Sequence, residues 1–231
     1  MNAKQRIHGK AYELFSELRS VLSGRFKLLD AIFPPVVFLV VNSISGFDLA
    51  MWVALAIAAI LAISRLVRRQ SLVYALGGVF GVLIAFLIAQ WTGRAEGFFL
   101  PSILNSVLMV LLCIVSILVG KPLVAWSSFL ARRWPLAWYW LPEVRPAYSE
   151  VTLMWGTFFM MRVVIQLGLF QQQKADSLAW LNLLGGWPAL VILLVISYLY
   201  GTWRLENLGG PSVEEFRSGA LPPWQGQRRG F

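Results

Sequence analysis

The chain has 231 residues, of which 58% are hydrophobic and only 13% charged, with mean hydropathy +0.68 and net charge +9. Soluble domains carry about 25% charged residues, so this balance excludes an ordinary soluble fold. The basic residues lie in short segments between apolar runs, which excludes a nucleic-acid-binding face and points to membrane topology.

Residues 1–27 form a basic lead in which Ile7, Ala11, Leu14, Phe15, Leu18 and Leu22 fall at helical spacing. That pattern predicts an amphipathic helix lying on the inner membrane surface. The first apolar run comes only after this polar lead, so no cleaved signal peptide is expected. Six spans are then predicted, over about 28–46, 47–66, 71–91, 98–120, 151–170 and 177–201, forming a domain from 28 to 201. Pro34 and Pro35 break the first near its inner end, one turn after Asp30. Gly77 and Gly81 stand at the spacing that lets two helices approach closely in the third. Pro101 opens the fourth, and Asn105 lies within it.

The segment 121–150 is the longest interior connection. Leu123, Trp126, Ser127, Leu130 and Trp134 fall on one face and predict a second interfacial helix. Trp138, Tyr139, Trp140 and Tyr148 follow among Pro135, Pro142 and Pro146, a rigid aromatic loop expected at headgroup level. In the sixth span Gly185, Gly186 and Pro188 are expected to unwind the helix. The tail 202–231 is rich in Gly, Pro and charge, lacks an apolar period, and is expected to be disordered.

Charge sets the orientation. If the N-terminus is inside, only Arg94, Lys174 and Arg162 of the 20 Lys and Arg residues fall outside the inner segments. Both termini are therefore expected in the cytoplasm. The expected fold is all-α, a polytopic bundle of six transmembrane helices with short interfacial helices.

From about Leu28 to Gly201 the chain resembles an uncharacterised family of six-span bacterial membrane proteins. The residues that carry the likeness are Leu29, Asp30 and Pro34, the run Arg65-Leu66-Val67-Arg68-Arg69, and Gly93-Arg94-Ala95-Glu96 through to Pro101. Lys121-Pro122-Leu123, Ala147-Tyr148 and Arg162 complete the set. The Gly-Arg-Ala-Glu block is the most specific, being hydrophilic with no evident packing role. In span layout alone the chain is also similar to the intracellular septation protein A family. These resemblances imply an inner-membrane, envelope-associated protein and imply no reaction.

Arg162 sits near the middle of the fifth span, where a charge costs from about 3 to more than 10 kcal/mol. It is expected to face the bundle and pair with Asp30, with Asn105 and Gln166 as neutral contacts. Gln166 follows Arg162 by four residues and so shares its helix face. No acid pair, nucleophile motif or phosphate-binding glycine loop is present, so no enzyme is expected. A single Cys113 and a single His8 argue against a metal site or cofactor. The partners expected are membrane lipid and either a second copy or an envelope protein, with no nucleic acid. Two functions fit: a non-enzymatic envelope scaffold, or a small-solute or anion transporter with its site around Arg162.

Overall fold

The computed structural model describes residues 37, 40–42, 44–67, 72–227 and 230–231. The expectations placed on the basic lead, Asp30, Pro34 and Pro35 lie outside the described residues. Those that are described form helices and turns and contain no strand. The α-helices are α1 (Phe47–Val67), α2 (Leu72–Thr92), α3 (Leu100–Leu118), α4 (Leu123–Arg132), α5 (Leu136–Tyr139), α6 (Arg145–Gln171), α7 (Ala175–Leu184), α8 (Trp187–Leu208) and α9 (Val213–Ser218). A 3-10 helix, Ala95–Phe99, precedes α3. Among the described residues three stretches, Ala95–Leu118, Arg145–Gln171 and Ala175–Leu208, are long and apolar enough to cross a membrane.

The chain divides into two compact units, and the division falls within α3, α6 and α8. The first holds the described residues up to Asn105 together with Val163–Ala189. Here α1 packs on α2. Ala50, Ala54, Ala58 and Ala62 are buried along α1, and Ala85 and Ala89 along α2. Four-residue spacing puts each set on one helix face, and small side chains let the backbones approach. Gly81 was expected to make that approach, but it is exposed, with open space where a Cβ would stand. The alanine stripes carry the packing because their methyl groups fill the interface without spreading it. Gly77 lies in α2, but its surroundings are outside the described residues.

The Gly-Arg-Ala-Glu block has a packing role after all. Gly93 ends α2 at φ +62°, a conformation that glycine tolerates best. A Cβ on Gly97 would stand 3.0 Å from the Ala89 Cα, so only glycine lets the 3-10 turn lie against α2. Glu96 and Phe99 are buried in the turn. Phe99 joins Ala50, Met51, Leu178 and Ala179 in the core of this unit.

The second unit comprises Ser106–Arg162 and Leu190–Phe231. The connection after α3 is helical rather than a loop. The chain turns at Gly120 (φ +70°), and Pro122 starts α4. The first backbone donors of α4, which no helical carbonyl can satisfy, find side chains. Leu123 N donates to Ser116 Oγ at 3.1 Å and Val124 N to Thr152 Oγ1 at 3.2 Å. Trp126 and Leu130 remain on an exposed face of α4. Trp138, Tyr139 and Tyr148, expected at headgroup level, are instead 0% exposed and form the core with Ala125, Val144, Leu205 and Val213. Large rings packed edge to face remove more surface from contact with water or headgroups than an interfacial position could.

The tail expected to be disordered from Thr202 is folded. Through Leu208 it continues α8, and α9 follows with a complete capping box made by Ser212 and Glu215. Its order rests on single anchors and not on a periodic stripe, which is why composition alone reads as disorder.

Candidate functional site

In the first unit three helices meet at a polar cluster. Gln166 of α6 is completely buried. Its Nε2 donates to Ser102 Oγ of α3 at 3.1 Å and to Asn182 Oδ1 of α7 at 3.3 Å. Ser102 also donates to Asn182 Oδ1, and Asn182 Nδ2 donates to the Leu178 carbonyl at 2.9 Å. All three groups are neutral amides or hydroxyls, suited to hydrogen bonding and not to acid–base chemistry.

One turn after Asn182 the last apolar stretch is interrupted. α7 ends at Leu184 and α8 begins at Trp187, next to Pro188. A Cβ on Gly185 would stand 2.6 Å from the Leu181 carbonyl oxygen, and one on Gly186 2.5 Å from that of Asn182. Glycine is required at both positions because the backbone there lies tight against carbonyl oxygens of the final turn of α7.

Of the side chains expected at an intramembrane site, Gln166 is therefore in a cluster, and Asp30 lies outside the described residues. Asn105 is exposed and takes no place beside Gln166. Ser102, three residues earlier and on a different part of the helix face, holds that position. Arg162 belongs to the second unit and is half-buried. Ser102 and Asn182 were visible only as isolated polar residues in apolar runs. Nothing in their local sequence says that they face one another.

The second unit has its own polar links. Glu150 of α6 receives Arg204 Nε at 2.8 Å and Nη2 at 2.9 Å, a two-point guanidinium contact, together with the Tyr200 hydroxyl at 2.8 Å. Trp155 Nε1 donates to Ser197 Oγ at 2.8 Å. These contacts tie α6 to α8.

Around the aromatic core the tail docks by specific bonds. Trp138 Nε1 donates to the Pro211 carbonyl at 2.9 Å. The Glu215 carboxylate receives Ser212 N at 2.8 Å and Gln225 N at 2.7 Å. The donors from Gln225 and Ser212 hold its pKa below the usual carboxylate range. Phe231 stacks on Tyr148 at 4.4 Å and 10°, and Arg132 Nε donates to the Phe231 carbonyl at 2.9 Å. The ring lies against Gly201, where a Cβ would stand 2.3 Å from it. Burial pushes the Tyr139 hydroxyl up, opposed by its hydrogen bond to Ser128 and the nearby Arg132 charge.

Among the described residues no group of three or more His, Cys, Asp or Glu side chains is placed to hold a metal ion. Comparison with curated proteins and with solved structures gives no match. A family model described as a protein of unknown function, DUF3159, matches residues 22–204, so it takes in the polar cluster and most of the aromatic core, and the chain belongs to that family.

Proposed function

We propose that the chain is a six-span protein of the bacterial inner membrane, with both termini cytoplasmic, acting as a non-enzymatic, envelope-associated scaffold. The observation that carries this reading is the aromatic core of the second unit. The connection between α3 and α6 and the tail, through Leu205, Val213, Phe216 and Phe231, pack onto one another around Trp138, Tyr139 and Tyr148. A chain whose work lay only within the bilayer needs no such module. Its outer surface presents Arg133, Glu214 and Arg217 to solvent. Charges of both signs held on a rigid core can select a partner by electrostatic complementarity. The distribution of Lys and Arg supports an inside position for the module. The likeness in span layout to the intracellular septation protein A family supports the envelope association.

Photo-crosslinking in living cells tests this. A reactive residue at Arg133 or Arg217 should give a discrete adduct, whereas one at Lys174, in the turn before α7, should not. A uniform lack of adducts, together with solute flux through the purified protein in liposomes, would overturn the scaffold reading.

A small-solute or anion transporter is the second reading. The break at Gly185–Gly186 beside buried Gln166 favours it, since interrupted spanning helices often accompany binding sites. On that reading Gln166→Leu abolishes flux in the same liposomes; on the scaffold reading no flux is there to lose.

A further inference from the structure

Between α3 and α6, within the second unit, runs an apolar groove of about 240 Å³. Its floor exists because position 156 is glycine. A Cβ there would stand 3.3 Å from the Cys113 Cβ, so the two helices are as close as they can come at this point. Ile114 and Ile117 form one wall, Leu153 and Met160 the other. Each pair of wall residues keeps helical spacing, so the groove follows the helix axes, for about 10 Å between Val110 and Ile117 at 1.5 Å per residue. The Thr157 hydroxyl at its edge already donates to the Leu153 carbonyl at 2.9 Å. An occupant therefore meets no polar group in need of a partner, and must be apolar along its whole length.

Charge marks one end. Gly120 lies one turn beyond Ile117, and the Arg145 guanidinium rests against it, 3.4 Å from where a Cβ would be. Lys121 is the next residue, and both Lys121 and Arg145 are exposed. Two cations thus stand at the end of a purely apolar slot between two helices that are each apolar enough to cross a membrane. An alkyl chain with an anionic head is the chemistry that satisfies both parts.

We propose that this groove is a binding site for an anionic phospholipid, with one acyl chain along Cys113 and Gly156 and the phosphate between Lys121 and Arg145. The proposal rests on the reading that α3 and α6 span the membrane. It is independent of which end of them is inside.

Native mass spectrometry of the full chain in detergent, with added phosphatidylglycerol or phosphatidylcholine of matched chains, tests it. The wild type should retain phosphatidylglycerol at least about tenfold better, given roughly fivefold per cation. Lys121→Gln with Arg145→Gln, both at exposed positions, should bring the two lipids to parity. Leu153→Trp, at a wall residue that is 61% exposed and tolerant of size, should fill the slot and reduce retention of both. Equal retention of the two lipids by the wild type would overturn the proposal, as would retention unchanged by Leu153→Trp. So would a lipid-free dimer that Leu153→Trp dissociates, which would assign the groove to a second copy. Release of the protein from membranes by carbonate without detergent would instead show that the spanning reading has failed.

Discussion

Gln166 and Gly201 show how much a single position holds. Gln166 links α3, α6 and α7 through two donated hydrogen bonds, and each such bond within a membrane contributes modestly. Gln166→Leu should lower unfolding stability in detergent by about 1 kcal/mol, while Asn105→Leu should leave it unchanged. Equal losses from the two would show that the cluster does not clamp the helices. Gly201 works by having no side chain. A methyl group there would occupy the place of the Phe231 ring, so Gly201→Ala should expel Phe231 from Tyr148 at a cost of about 1–2 kcal/mol. Limited proteolysis should then cut within residues 219–231. Adding Phe231→Ala to Gly201→Ala should cause little further loss, because both changes remove the same contact.

Among the elements, the α1–α2 pair and α9 rest on different forces. α1 and α2 meet through alanine stripes, so Ala54→Leu should overpack the interface and cost about 1–3 kcal/mol. Gly81→Leu faces open space and should leave stability unchanged or raise it, since leucine favours the helix by up to about 1 kcal/mol over glycine. Thermal unfolding of the two variants decides which face is packed. α9 instead depends on Glu215, whose carboxylate caps the helix and holds Gln225. Its folded-state pKa is depressed, so its contribution is present above the unfolded pKa and is lost as pH falls through the lower folded value. Protection factors for exchange at the Ser212 and Gln225 amides, taken relative to the intrinsic rate at each pH, should therefore fall only below the ordinary carboxylate range. In Glu215→Gln that step should be absent and protection low at every pH.

On the scale of the whole molecule, charge placement governs orientation. Reporter fusions after Gly93 and at Gln172 should read outside, and fusions at Ala137 and after Glu206 inside; one inversion would mean a miscounted span. Composition and run length were enough to determine the helical class and the apolar stretches around Arg162, because burying backbone in lipid demands helices whatever the side chains touch. The glycine pair before Pro188 was legible for a similar reason, since it acts through its own few neighbours; the Ser212–Glu215 cap is just as local but lies in a tail whose composition reads as disorder. What only the tertiary structure decided were contacts between residues far apart in the chain. Ser102 rather than Asn105 meets Gln166; alanines rather than Gly81 join α1 to α2. Tyr148 and Trp138 turn into a core because Phe231 and Pro211 come back to cover them, 83 and 73 residues later. Periodicity reports which face of a helix is apolar. It carries no information about what arrives to cover that face, because that depends on the path of the entire chain.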